Sequence, residues 1–268
     1  MRTKATGFAM AVLFASAAAG QEPAERRIER TSYLTHIAAA QDFQELATVV
    51  RSIGDIREVR VDIAQKTLAL GGTVEQAALA EWLVSELDKP TGAQSSIAPG
   101  ANPLPHEYRM PGSRDDVVRA FYVRHAGTPE NLQELVTAVR SIGDIPRLFV
   151  YHAQEAVVLR GTAEQLALAE WLVHELDRPP AAPSPNPRNP HPVPHEYRIP
   201  GGDGEMVRAF YLFDAGPQDL GKAAAAVRSA TGVRAVFVNT AQRAVVMRGT
   251  AGQIAVAERL IQELDHPD

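Results

Sequence analysis

Val50-Arg51-Ser52-Ile53-Gly54-Asp55-Ile56 recurs unchanged as Val139-Arg140-Ser141-Ile142-Gly143-Asp144-Ile145. Extended outward from this block, Tyr33–Pro90 aligns without a gap onto Tyr122–Pro179, with 32 of 58 positions identical. A third, more divergent copy runs from Tyr211 to Pro267, where Val227-Arg228-Ser229-Ala230-Thr231-Gly232-Val233 holds the matching place. Its start, Asp214-Ala215-Gly216-Pro217, is one residue shorter than His125-Ala126-Gly127-Thr128-Pro129. Repetition at this period marks duplication of one supersecondary unit.

The second copy displays the unit best. Phe121–His125 is rich in aromatic and β-branched types and reads as a strand. Thr128-Pro129 supplies an N-cap followed by proline at the first helical position. Leu132, Leu135, Val136, Val139 and Ile142 then follow at helical spacing, and Gly143 is expected to stop the helix. Two short strands, Leu148–His152 and Ala156–Arg160, are joined by a tight connection around Ala153-Gln154-Glu155. A second helix opens at Thr162-Ala163-Glu164-Gln165, a capping box in which threonine and glutamine satisfy each other's orphan backbone donors. The box recurs as Thr73-Val74-Glu75-Gln76 and Thr250-Ala251-Gly252-Gln253. Leu166, Ala169, Leu172, Val173 and Leu176 form the buried stripe of this helix, and Pro179 ends it. The fold expected is α+β: three tandem β-α-β-β-α modules, each a small three-stranded sheet with two helices on one face.

A module this small buries a modest fraction of its surface, so its other sheet face must be polar or covered. In copy one, alternation along Val59-Arg60-Val61-Asp62-Ile63 turns Arg60 and Asp62 outward. The matching residues are Phe149 and Tyr151 in copy two, Phe237 and Asn239 in copy three. Exposed aromatics there would form a contact surface, and Phe149, Tyr151 and Phe237 are the candidate interface residues. The other reading is that something local covers them. A repeated block, Pro105-His106-Glu107-Tyr108-Arg109-Met110-Pro111-Gly112 and Pro194-His195-Glu196-Tyr197-Arg198-Ile199-Pro200-Gly201, precedes copies two and three and is a candidate cover. A spacer has no physical reason to repeat so closely, so the block is expected to pack as an arm or fourth strand.

The segment Arg178–Val193 holds seven prolines in sixteen residues and reads as an extended, semi-rigid spacer. The first twenty residues read as a signal peptide: Arg2 and Lys4 are basic, Gly7–Ala19 is apolar, and Ala18 and Gly20 are small. The apolar run is short for a membrane anchor, and no later segment resembles a span. The expected layout is a signal peptide (1–20), module one (31–89), a linker (90–104), module two with its arm (105–178), a proline-rich linker (179–193) and module three with its arm (194–267).

With 27 basic and 32 acidic residues, the net charge is −5. Removal of Arg2 and Lys4 makes the mature chain more acidic. No basic field exists to attract nucleic acid or an anionic membrane. The absence of cysteine rules out disulfides, a Cys-ligated zinc and an N-terminal lipidated cysteine. The histidines form no His-x-x-x-His pair on an expected helix, so no metal site is expected. Glu81, Glu170 and Glu258 recur in the second helix, and Glu86-Leu87-Asp88, Glu175-Leu176-Asp177 and Glu263-Leu264-Asp265 close it. Repetition in every copy argues for architecture over acid–base chemistry. Trp82 and Trp171 read as partly buried core, with Arg259 at the third position. Neither a Gly-x-Ser-x-Gly elbow nor a complete Gly-x-x-x-x-Gly-Lys-Ser/Thr phosphate loop is present, so neither an enzyme nor a bound cofactor is expected.

A β-α-β-β-α unit with Gly-Thr before the second helix and Leu-Asp-x-Pro after it resembles the periplasmic N-domains of bacterial secretins. The residues are Gly72-Thr73 to Leu87-Asp88-Lys89-Pro90, Gly161-Thr162 to Leu176-Asp177-Arg178-Pro179, and Gly249-Thr250 to Leu264-Asp265-His266-Pro267. The resemblance implies protein–protein assembly in the periplasm, with a protein partner or self-association. Secretins carry a C-terminal pore domain, whereas this chain reaches Asp268 directly after module three. It is therefore expected to act as an accessory or scaffold and not as a pore. The KH-like topology of such domains raises RNA binding, which the acidic charge and the leader oppose. The alternative function is a ligand-binding envelope protein that uses clefts between module and arm.

Overall fold

A computed structural model describes residues 27–90, 106–179 and 195–265, apart from 114, 126–127, 203 and 213–215. The proposed leader and nearly all of both proposed linkers lie outside the described residues. Module one contains β1 (Ile28–Tyr33), α1 (Ala40–Gly54), β2 (Glu58–Asp62), β3 (Thr67–Gly72) and α2 (Val74–Leu87). Module two contains β4 (His106–Arg109), β5 (Val117–Tyr122), α3 (Pro129–Ile142), β6 (Arg147–Tyr151), β7 (Ala156–Gly161) and α4 (Ala163–Leu176). Module three contains β8 (His195–Arg198), β9 (Glu205–Tyr211), α5 (Pro217–Thr231), β10 (Val236–Asn239), β11 (Ala244–Thr250) and α6 (Ala251–Asp265). Every strand pairing is antiparallel, and the sheet orders are β1-β3-β2, β4-β5-β7-β6 and β8-β9-β11-β10.

The repeated motifs explain how each unit closes. Thr73 and Thr162 accept from the backbone N–H of Gln76 and Gln165, whose side chains accept from the threonine N–H in return. The same glutamines donate across the module, to Asp55 O at 2.8 Å and Asp144 O at 2.6 Å, and so tie the start of one helix to the end of the other. The glycine before each threonine leaves room for that glutamine: a Cβ on Gly72 or Gly161 would lie 2.7 Å from its Oε1. In the seven-residue repeat, Arg51 and Arg140 donate to Val59 O and Leu148 O, binding the first helix to the following strand.

Helix α3 ends at Gly143 as the sequence suggests, but the glycine there is not the left-handed residue. Gly143 stays right-handed, and the left-handed residues are Asp55 (φ 55°) and Asp144 (φ 52°). Glycine stands at 143 because a Cβ there would lie 2.7 Å from Val139 O and 3.0 Å from Ile145 Cδ1. In module three, by contrast, Gly232 itself is left-handed at φ 69°.

The modules stack. Helices α1 and α2 cover one face of the first sheet, and their other side receives the second sheet. Along β7, Val157 and Leu159 enter the core of module two while Ala156 and Val158 enter that of module one. Both faces of this strand are therefore buried, as its unbroken apolar run requires. Val118, Ala120 and Tyr151 join the same module-one core. The pattern repeats one level on, where Val207, Ala209, Ala244 and Val246 enter the core of module two. The arms β4 and β8 extend their sheets edgewise. The expected cover of the open face is thus supplied chiefly by the preceding module's helices.

Candidate functional site

The two seams between modules hold a set of the chain's recurrent polar residues. In the last turn of α2, the Glu86 side chain is only 7% exposed. Its carboxylate accepts from Tyr122 Oη at 2.6 Å, His106 Nδ1 at 2.6 Å and Lys89 Nζ at 2.7 Å. Burial acts to raise its pKa, but the hydrogen bonds from Lys89, Tyr122 and His106 outweigh it and hold the carboxyl below its ordinary value. Glu175 occupies the same place in α4, where it accepts from Tyr211 Oη, His195 Nδ1 and Arg178 Nη2. Burial and the Glu175 carboxylate push the Tyr211 phenol up, keeping it a protonated donor.

Further contacts repeat in register. Glu45 on α1 accepts from the His152 N–H at 3.0 Å, and Glu134 on α3 accepts from the Thr240 N–H at 2.6 Å. Gln154 and Gln242 donate to the backbone oxygens of Lys89 and Arg178. Arg160, held by Asp116, donates to Ile53 O at the end of α1, and Arg248, held by Glu205, does the same to Ile142 O of α3. Each guanidinium thus sits at the negative end of a helix. The Tyr108 ring lies 5.7 Å from that of Trp82, tilted by 44°, and Tyr197 lies 5.8 Å from Trp171, tilted by 45°.

These contacts give the repeated arm its function. His106 and Tyr108 reach the preceding module, whereas Glu107 pairs at 2.5 Å with Arg119 of the neighbouring strand. That arginine is the main reason the Glu107 carboxyl titrates below its ordinary range. Sequence reasoning missed Glu86, Tyr122, the arm histidines and the tryptophans as contact residues. Their shared signal was recurrence at polar or aromatic positions that the fold of a single module does not use.

Phe149 and Tyr151, chosen from sequence as interface candidates, point at α1. Phe149 is half-buried against the module-one core, and Tyr151 is fully buried within it. Phe237 is half-buried against the core of module two. Burial pushes the Tyr151 phenol up, with Asp42, Asp88 and Glu45 adding to the shift, and its hydroxyl has no hydrogen-bond partner among the described residues. The recurrent His36 and His125 do structural work: each Nδ1 lies within 2.9 Å of the backbone oxygen of Asp88 or Asp177. The Asp88 carboxylate in turn accepts from the N–H groups of Thr35, His36 and Ile37.

An open groove of about 520 Å³ is lined by residues of α3, His152, Phe237 and Val238, with no arm residue among them. Among the described residues there is no group of three or more His, Asp or Glu placed to hold a metal. Also among them, no helix is long and apolar enough to cross a membrane.

No protein-family model matches the chain, and no curated protein matches it. Solved structures of secretins are similar to it. ExeD of Aeromonas hydrophila is 14% identical at a TM-score of 0.20, covering 90% of this chain and 41% of its own. The N-terminal domain of the secretin XcpQ from Pseudomonas aeruginosa is 12% identical at a TM-score of 0.27, covering 90% of this chain and 100% of its own. The type II secretion system secretin GspD of E. coli K12 is 13% identical at a TM-score of 0.20. The chain spans about two-fifths of the length of the ExeD and GspD chains.

Proposed function

We propose that this chain is an exported, non-catalytic scaffold or assembly module that makes protein–protein contacts in the periplasm. The observation that carries this reading is the repeated docking of one folded module on another through the same residues. Buried Glu86 and Glu175 take tyrosine and histidine donors from the following module, and Trp82 and Trp171 seat its arm. Carboxylates with shifted titration, such as Glu86 and Glu45, act inside these contacts and do not converge on a substrate cleft. Phe149, Tyr151 and Phe237 serve as interface residues within the chain. The equivalent surfaces left for other proteins are the sheet face of module one and the helix face of module three.

Photo-cross-linking side chains placed at Arg60 and at Ala230, in cells exporting the chain, test this reading. A chain released by osmotic shock, with protein adducts from at least one position, is the expected result. A periplasmic chain that forms no adduct from either position overturns the scaffold, and retention inside the cell overturns the location.

A further inference from the structure

Two seams are made by one pair of complementary faces, and the chain presents each face once more, unoccupied, at an end of the described stack. On the sheet of module one, Tyr33 stands where Tyr122 and Tyr211 do and is 75% exposed. Gln65, in the place of Gln154 and Gln242, is exposed as well. At the other end, Glu263 holds the position of Glu86 and Glu175 and is exposed. Leu264 is 43% exposed, although its counterparts Leu87 and Leu176, each beneath a following module, are buried. A tyrosine donor and its carboxylate acceptor therefore persist at opposite ends.

The residues that differ at these ends differ in matching ways. Lys222 replaces the seam glutamates Glu45 and Glu134 on the helix side. On the sheet side, Asp62 replaces Tyr151 and Asn239, the residues next to the glutamate-bound N–H groups of His152 and Thr240. Against α1 or α3, Asp62 would meet a glutamate; against α5 it meets a lysine. Charge thus selects which helix face the first sheet accepts. Lys222 pairs at 2.9 Å with Asp219, but both side chains are more than half exposed, so this contact yields readily.

Bulk changes in step. Ala230 stands where Ile53 and Ile142 fill the older seams, leaving room for Arg60, which stands where Phe149 and Phe237 do. Likewise, Arg259 replaces the tryptophans that seat an arm tyrosine, and among the described residues β1 has no arm strand beside it.

We infer that a second copy of this chain docks head to tail, the sheet face of module one seating on the α5–α6 face of module three through Asp62–Lys222 and Tyr33–Glu263. The inference rests on the scaffold reading and names its partner. Such a contact is heterologous, so it propagates as a line or closes as a ring.

Sedimentation velocity of the purified chain over a concentration series tests it. The expected result is a mass that grows with concentration and falls back as salt is raised. Lys222→Glu should weaken association by at least about tenfold, and Tyr33→Ala should weaken it independently. Adding Asp62→Lys to Lys222→Glu should recover much of the loss. All these positions are exposed, and an unchanged circular dichroism spectrum confirms the fold. A chain that stays monomeric throughout, or self-association indifferent to Lys222→Glu, overturns the inference. If adducts with other proteins persist in cells while the chain stays monomeric, only this inference falls. Loss of all adducts removes the scaffold reading with it.

Discussion

Modules one and two share a fold and more than half of their aligned residues, yet their outward sheet faces are opposites. Module one shows Glu29, Thr31, Arg60 and Asp62 at the positions where module two has Val118, Ala120, Phe149 and Tyr151. The first four are exposed, whereas Val118, Ala120 and Tyr151 are buried and Phe149 is half-buried. The difference lies in what the face meets: solvent in one case, the helices of the preceding module in the other. A polar outer face on a terminal repeat keeps a stack soluble, and nearest-neighbour contacts hold its interior together.

Exchanging the two faces should expose this contrast most strongly. Phe149→Arg with Tyr151→Asp places charge inside a seam and should destabilise the chain by about 3–5 kcal/mol. The reciprocal pair, Arg60→Phe with Asp62→Tyr, should change stability by less than about 1 kcal/mol, because the face is open. Urea denaturation of both variants measures the asymmetry; equal losses would refute it.

A smaller effect is expected at the buried carboxylate. Glu86→Gln removes a charged acceptor shared by three donors and should cost about 2–3 kcal/mol, whereas Glu263→Gln at the open end should leave unfolding unchanged. Because Glu86 is held below its ordinary pKa, its stabilisation is fully present above the ordinary carboxylate range and disappears as pH falls through its lower folded value. Stability curves of wild type and Glu86→Gln should therefore converge in acid. Curves that run parallel down to acid pH would place the stabilising charge elsewhere.

The smallest of the three concerns the aromatic seat. Trp82→Ala should lose about 1–2 kcal/mol through its contact with Tyr108, while Arg259→Ala at the equivalent place should lose almost nothing. Thermal unfolding distinguishes these outcomes, provided each variant is compared at one protein concentration.

The capping boxes, the order of elements and the polarity of each sheet face were legible in the sequence because they depend on neighbours a few residues away. Thr73 and Gln76 are three positions apart, and Arg60 and Asp62 two. What covers Tyr151 was not legible in that way: its neighbours Asp42 and Glu45 lie on a helix a whole repeat earlier. Glu86 shows the same limit. Its recurrence marked it as architectural, but its donors come from β4 and β5 of the next unit, beyond any local pattern. Gly143 was legible as the end of its helix, but its right-handed conformation and the close approach of Ile145 were not.

Since the chain contains no cysteine, a single introduced thiol reports one position. Glu29→Cys and Val118→Cys occupy equivalent places on the first and second sheets, and their reaction with a thiol reagent under native conditions tests the stacking most directly. The stacked arrangement predicts that the thiol at 29 reacts as fast as in the unfolded chain, and that the one at 118 reacts at least about a hundredfold more slowly, limited by opening of the seam. Equal, rapid labelling at both positions would contradict it.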